Sequence, residues 1–186
     1  RYDAVPTYLL SAEVLRDTAS LDALSQLEPA LELGVHLHGE FCSRLEDGSC
    51  VPASTSAYMQ DETPSVQREQ LGVITDLFHK AFARAPRSFR AGRFGADART
   101  LAVLEEFGYP VDSSVLPGLV EATVNGSIDC SVAPAFPYRP DPTNLSVRGS
   151  ARIVEVPVSV WRHPWKGALC PRVTEHNVVG FGARLC

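Results

Sequence analysis

The sequence lacks Cys-x-x-Cys pairs, long apolar runs and any excess of basic residues. Its five cysteines are scattered along the chain, so we expect no zinc site built from cysteines. No apolar stretch approaches the roughly 18 residues that a transmembrane helix needs, and we expect no transmembrane segment. The net charge of -5 leaves no basic stripe to neutralise phosphates, which argues against a nucleic-acid partner.

What the sequence does contain is the composition of an ordinary globular domain. Its 186 residues are 45% apolar and 21% charged, so we predict a single domain over residues 1–186. The chain starts at Arg1 rather than at a methionine and shows no signal peptide. We therefore expect a piece of a longer protein, from a cytoplasmic or an extracytoplasmic compartment.

Two of the cysteines bracket a turn-rich loop. Cys42 and Cys50 flank residues 46–49, which read EDGS. A disulfide between them would suit an oxidising compartment, whereas free thiols would suit a reducing one. The sequence leaves both alternatives open.

Strand-like and helix-like segments alternate along the chain. Short apolar runs predict strands, and apolar residues at three- and four-residue spacing predict helices. Ser20 is the expected N-cap of the first helix, and Gly108 is expected to close the third. This alternation predicts an α/β domain with a mainly parallel sheet. The predicted strands are 6–10, 35–38, 88–91, 111–115 and 153–160, and the predicted helices are 20–33, 65–84 and 98–107.

The segment 34–40 (GVHLHGE) carries the first candidate site. Alternate residues of a strand face the same side, so His36 and His38 converge on one point, and Glu40 keeps the same parity. Imidazole nitrogens and carboxylate oxygens are ligands for divalent metals such as zinc. The alternative is a pair of ordinary histidines at a strand end, one bonded to a backbone carbonyl and one solvated.

A second candidate segment, 88–95 (SFRAGRFG), contains two arginines three residues apart. Its small residues let backbone and guanidinium groups approach a ligand closely. The glycine spacing matches neither the dinucleotide nor the P-loop fingerprint. The alternative is a surface turn in which Arg90 and Arg93 are simply solvated.

Four motifs in a fixed order carry a family resemblance. They are residues 32–38 (ELGVHLH), 88–95 (SFRAGRFG), 100–115 (TLAVLEEFGYPVDSSV) and 154–159 (VEVPVS). Together they resemble the polysaccharide deacetylases, the carbohydrate esterase family that shares the chitooligosaccharide deacetylase homology domain. The resemblance covers most of the chain, from about residue 6 to residue 159.

The resemblance implies a distorted (β/α)7-type barrel, incomplete in this chain, with its site at the carboxyl ends of the strands. It also implies a carbohydrate substrate and a divalent metal, typically zinc, held by one aspartate and two histidines. In that family a second aspartate is the general base, an arginine orients it, and a backbone N–H holds the oxyanion. The metal polarises the acetyl carbonyl and lowers the pKa of its water.

Residue by residue, the resemblance assigns His36 as the first metal histidine and Arg90 as the arginine that orients the base. Arg93 takes the position whose backbone N–H faces the oxyanion. Asp112 matches an aspartate that supports the site from behind the reacting groups. Arg90, Arg93 and Asp112 are therefore the predicted catalytic residues.

The sequence departs from the family pattern at three points. The family's second histidine corresponds to Glu40, so the second ligand is either His38 or Glu40, and His38 is favoured because imidazole suits zinc. The general acid is not identified by the sequence: His163 and His176 are the candidates, and the alternative for each is a surface residue. The aspartate pair belongs on a strand before residue 6, so we expect that strand, the base and one ligand to be missing, and the chain alone to be inactive.

The predicted function is metal-dependent removal of N-acetyl, or less often O-acetyl, groups from a carbohydrate. One alternative is a non-catalytic domain of the same fold that binds a glycan or a partner. The other is a metal amidohydrolase that acts on small amides. The sequence does not identify the glycan, the metal or the oligomeric state.

Overall fold

The structure is a computed structural model that describes residues 5–26, 31–42 and 56–160 of the chain. Its strands are β1 (Thr7–Leu10), β2 (Glu32–Leu37), β3 (Ser88–Ala91), β4 (Val111–Asp112), β5 (Val120–Ala122), β6 (Ser127–Asp129), β7 (Pro140–Asp141), β8 (Asn144–Arg148) and β9 (Val154–Glu155). Five of them form one parallel sheet in the order β1-β2-β3-β4-β9. The other four form two antiparallel hairpins.

The connections between the first four strands of the sheet contain the helices. They are α1 (Ala12–Arg16), α2 (Thr18–Ser25), α3 (Pro64–Phe82) and α4 (Ala98–Glu106), with 3₁₀ turns at Gly39–Phe41, Met59–Asp61 and Gly92–Phe94. The longest helix, α3, contacts β2 and also both α1 and α4. Within the described ranges, no helix has the length and apolar character needed to cross a membrane.

One face of the sheet is covered by these helices. Val35 and Leu37 of β2 and Phe89 of β3 point to this face and are buried, as is Phe78 of α3. Burying one such side chain contributes about 1.5–3 kcal/mol. The register of β2 against β3 is therefore held by apolar burial as well as by backbone hydrogen bonds.

The opposite face of the sheet is an open groove of about 500 Å³. Polar and apolar side chains both line this groove, which is bordered by Thr7, Leu9, Glu32, Arg87, Ser88, Arg90, Val111, Ser113 and Val156. In the described part of the chain, β1 and β9 each pair with one strand only and form the two edges. The α/β class and the parallel sheet are confirmed, whereas closure into a barrel is not shown.

The region predicted as one helix over 20–33 is organised differently. Asp17, not Ser20, is the N-cap of α2, because its carboxylate accepts hydrogen bonds from the Ser20 backbone N–H and hydroxyl at 2.8 and 2.6 Å. A carboxylate at the N-cap also suits the positive end of the helix dipole. The end of the predicted helix is wrong as well, since Glu32–Leu37 is strand β2.

The stretch between β4 and β9 contains two hairpins that the sequence did not predict. The turn of β5–β6 is tied to the 3₁₀ turn Met59–Asp61 by the Asp61 carboxylate. That carboxylate accepts hydrogen bonds from the Thr123 hydroxyl at 2.6 Å and from the Asn125 backbone N–H at 3.2 Å. Tyr58 adds a 2.6 Å hydrogen bond to Glu121. The hairpin therefore fixes the end of the loop that precedes α3.

Gly34 is the residue that lets β2 pass closely between β1 and β3. A Cβ atom at this position would overlap the Ser88 hydroxyl and backbone oxygen, and it would lie 2.8 Å from Leu9. The backbone oxygen of Ser88 belongs to β3 and cannot move without disturbing the sheet. Gly34 is thus required for strand packing, although the sequence indicated only a break between a helix and a strand.

We predict that Gly34→Ala destabilises the fold by about 1–3 kcal/mol, the usual cost of overpacking a core. Gly72→Ala is the matched control, because its Cβ would meet only the Phe107 ring at 3.7 Å within helix α3. There the change should be neutral or stabilising by up to about 1 kcal/mol. Urea unfolding of both variants checks the prediction, and equal midpoints would contradict it.

Candidate functional site

Two histidine rings meet at the carboxyl end of β2. His36 lies in the strand, and His38 follows it as the residue before the 3₁₀ turn Gly39–Phe41. Their Nε2 atoms are 2.9 Å apart, and the ring planes are nearly perpendicular at 83°. The predicted convergence of His36 and His38 on one point is therefore confirmed.

The protonation of His36 is fixed by a backbone carbonyl. Its Nδ1 lies 2.9 Å from the carbonyl oxygen of Arg90, which can only accept, so Nδ1 carries the proton. The Nε2 atom of His36 is then left with its lone pair directed at His38. Burial lowers the pKa of His36 below 6.5, although the bond to Arg90 acts in the opposite direction. A neutral ring with Nε2 as acceptor is the form that ligates a metal.

The two Nε2 atoms fit two ligand positions of a divalent metal such as zinc. Zinc binds histidine nitrogens at 2.0–2.1 Å in a tetrahedral arrangement, which separates two such nitrogens by about 3.3 Å. A small outward movement of either ring would reach that spacing. Within residues 5–26, 31–42 and 56–160, no three His, Cys, Asp or Glu side chains are grouped to hold an ion. A further ligand would have to come from elsewhere.

Glu40 lies on the other side of the His38 ring from His36. Its Oε1 is 3.6 Å from His38 Nδ1 and accepts a 2.7 Å hydrogen bond from Arg93 Nη1. Partial burial opposes ionisation, but the bond from Arg93 holds the pKa of Glu40 below its usual value. His38 and Glu40 are the two candidates for the second ligand, and His38 is the one that directs a possible ligand atom, Nε2, at His36. Glu40 lies on the Nδ1 side of the His38 ring and is bonded to Arg93.

Arg90 connects His36 to the end of β4. Its Nε donates to the Ser113 carbonyl oxygen at 2.9 Å, and its Nη2 donates to the Ser113 hydroxyl at 2.7 Å. The β2–β3 register places Arg90 directly opposite His36. Its side chain is therefore held at the groove face beside the histidine pair.

The segment after β3 makes a tight turn against His38. Arg93 and Phe94 have left-handed backbone conformations, with φ of 53° and 59°, which cost about 1–3 kcal/mol each in non-glycine residues. The Arg93 side chain also donates to the Ala57 carbonyl oxygen at 3.1 Å. Strained turns of this kind concentrate at functional sites. The predicted Arg93 is thus brought to the histidine pair.

Asp112 is not part of this cluster. It pairs with Phe89 in the register and shares the helix-covered face of the sheet, where it is fully buried. Its Oδ1 accepts a 2.5 Å hydrogen bond from the Ser114 hydroxyl. The residue that holds the Arg90 guanidinium is Ser113, which the sequence did not single out. The alternation of side chains along the strand was the available signal, because it puts Ser113 on the face of Arg90.

Several predicted residues lie outside the described part of the chain. They include both candidates for the general acid, His163 and His176, and also Cys50 of the predicted disulfide. Its partner Cys42 is a buried thiol, and burial raises its pKa to about 12. The roles of these residues stay predictions.

Comparison with known proteins gives a likeness in structure. No known family matches the sequence, and no curated protein matches it either. A crystal structure described as a "putative polysaccharide deacetylase from Mycobacterium smegmatis" is similar, with a TM-score of 0.53 and 16% sequence identity. The match covers 89% of this chain and 48% of that one, so the chain spans about half of that structure. At this identity the likeness shows the fold alone.

We predict that Gly92→Ala moves the His38 ring. A Cβ atom at Gly92 would lie 2.8 Å from His38 Nδ1 and 2.9 Å from the Leu37 backbone oxygen, so the ring must give way and the Nε2 pair must separate. Histidine ring signals in ¹H–¹⁵N NMR spectra of metal-free protein measure the change. Gly126→Ala is the control, because a Cβ there meets nothing within 4 Å. Unaltered His38 signals in the Gly92 variant would contradict the prediction.

Proposed function

We propose that the chain is part of a metal-dependent hydrolase that removes N-acetyl, or less often O-acetyl, groups from a carbohydrate. The observation that carries the proposal is the pair of Nε2 atoms 2.9 Å apart, with the His36 tautomer fixed by the Arg90 carbonyl. The motif resemblance to polysaccharide deacetylases and the fold likeness to one such protein support the same reaction.

In this proposal His36 and His38 hold a divalent ion, zinc being the best match to imidazole ligands. When bound, such an ion polarises an acyl carbonyl and lowers the pKa of a water molecule. Glu40 and Arg93 orient the ring of His38 through its Nδ1 side. Carboxylate partners of this kind fix the orientation and raise the basicity of ligating histidines.

The remaining groups around the pair position the substrate and its developing charge. Arg90 is held rigidly by Ser113 and is placed to orient a carboxylate that acts as general base. The turn at Arg93 offers a backbone N–H to the oxyanion, where a preorganised donor stabilises charge that appears only in the transition state. Asp112 acts indirectly from the opposite face of the sheet, because its bond to Ser114 holds the segment whose Ser113 binds Arg90.

The general base and a further ligand have no candidate among the described residues. We propose that both are carboxylates from a strand that precedes residue 1 of this sequence, next to the free edge of β1. That upstream strand would also help to cover the groove on the open face of the sheet and extend the sheet toward a barrel.

We predict that His36→Ala and His38→Ala each weaken zinc binding by the full-length protein. The loss should be at least about 10–100-fold, the effect usual for merely disturbing the surroundings of a metal ligand. Calorimetric titration of metal-free protein measures it. His79→Ala is the control, since His79 is exposed on α3. Zinc binding by both variants as tight as in the control would refute the metal site.

We predict that the full-length protein releases acetate from acetylated chitooligosaccharides and that the 186-residue chain alone does not, because nothing described in it supplies the base. Enzymatic assay of acetate, with and without a chelator, tests both statements. Zinc binding without acetate release from any glycan would favour the non-catalytic alternative. Hydrolysis of small amides only would favour the amidohydrolase. Activity of the isolated chain would place the base within it.

A further inference from the structure

A pair of buried acids lies behind the candidate site. Asp112 of β4 and Glu155 of β9 are partners in the strand register and are both 0% exposed. Because they are register partners, their side chains leave the same face of the sheet from strands about 4.8 Å apart. This is the helix-covered face, opposite to the one that carries Arg90.

Each acid uses one oxygen to hold the segment that follows β4. Asp112 Oδ1 accepts a hydrogen bond from the Ser114 hydroxyl at 2.5 Å, and Glu155 Oε1 accepts one from the Val115 backbone N–H at 3.1 Å. The second oxygens, Asp112 Oδ2 and Glu155 Oε2, are buried and receive no hydrogen bond from any donor in the described part of the chain.

Two ionised carboxylates cannot both be buried side by side without a counter-charge between them. One proton held between the two acids removes the repulsion and gives both remaining oxygens a partner. We propose that Asp112 and Glu155 share a single proton through Oδ2 and Oε2, and that this monoanionic pair is the positioning element for Arg90. The inference goes beyond the proposed hydrolysis, because its contacts are the same whatever the substrate is.

The surrounding charges agree with a shared proton. Burial is the largest influence on both acids and raises the pKa of each carboxyl, most strongly that of Glu155. Arg90, across the sheet, is the cation that acts on both acids and favours one negative charge. Among the described residues, the other titratable groups that act on the pair are Cys130 and Tyr138, and burial raises the pKa of each of them. Neither supplies a second positive charge.

The acid pair reaches Arg90 through consecutive residues. The Ser114 hydroxyl donates to Asp112 and accepts from the Ala91 backbone N–H at 2.9 Å, which ties the end of β4 to the end of β3. Ser113, one residue earlier, holds the Arg90 guanidinium by its carbonyl and hydroxyl oxygens. Fixing residues 113–115 from behind the sheet therefore fixes Arg90 in front of it.

Glu155→Gln tests the shared proton, because glutamine keeps the shape and can donate to Asp112 at every pH. The folded wild type should hold one proton that its unfolded chain loses above the ordinary glutamate pKa of 4.5. Its stability should then fall as pH rises above that value. Relative to Glu155→Gln, the unfolding equilibrium constant should rise up to tenfold per pH unit. Urea unfolding of the full-length protein between pH 5 and about pH 8 measures the ratio.

Three further measurements complete the test. Glu69→Gln, an exposed change on α3, should follow the wild type at every pH. Glu155→Ala should free the Arg90 Nε–H to exchange with solvent, whereas Glu155→Gln should keep it protected in NMR spectra. Wild-type protein at neutral pH should show the infrared band of a protonated carboxyl group, and Glu155→Gln should lack it.

Two results would overturn the proposal. One is a stability ratio of wild type to Glu155→Gln that does not change with pH. The other is the absence of a protonated-carboxyl band from native wild-type protein, a measurement that needs no variant to fold. Equal protection of the Arg90 Nε–H in the alanine and glutamine variants would contradict the positioning role of the acid pair, even if the infrared band shows the shared proton.

Discussion

The pairing of β2 with β3 is the interaction on which the candidate site depends. It sets His36 opposite Arg90, so the strand contact that builds the sheet also brings His36 Nδ1 to the Arg90 carbonyl. A slip of one residue would turn His36 toward the helices and expose Val35. Because Val35 and Phe89 are both 0% exposed in the core, apolar burial on one face enforces the polar geometry on the other.

The residues around the Nδ1 side of His38 come from three separate segments. Arg93 follows β3, Glu40 follows β2, and Ala57 belongs to the loop before α3. His38 Nε2–H donates to His36 Nε2, and His38 Nδ1 faces Arg93 Nη1 at 3.4 Å. Glu40 Oε1 lies 3.6 Å from the same Nδ1 atom and is bonded to Arg93, so the Nδ1 side of His38 faces an ion pair.

The sequence predicted the parts of the fold that local pattern determines. Helix α3 and strand β3 follow from the apolar pattern. The turn at Gly108, which ends α4, was expected because glycine accepts a positive φ, and the residue takes a φ of 76°. The strand predicted over 153–160 is shorter because Pro157 interrupts the ladder, although Val156 and Val158 still donate to neighbouring carbonyls. Strand parity likewise predicted the meeting of His36 with His38. Parity also puts Ser113 on the face of Arg90, but it does not identify Ser113 as the residue that the guanidinium binds. The contact of Ala57 with Arg93 depends on loop packing between distant segments.

The histidine pair with Arg90 and the acid pair Asp112–Glu155 lie on opposite faces of one sheet. They are connected by the segment after β4, whose consecutive side chains point to opposite faces. Ser113 faces Arg90, and Ser114 faces Asp112. Apolar residues at positions 112 and 155 would avoid the cost of burying acids, and such exchanges are often neutral or stabilising elsewhere. Here they would leave the Ser114 hydroxyl and the Val115 N–H without acceptors, at about 1–3 kcal/mol for each buried group. The two acids therefore supply the acceptors for these buried donors, and in our proposal the position of Arg90 follows from those bonds.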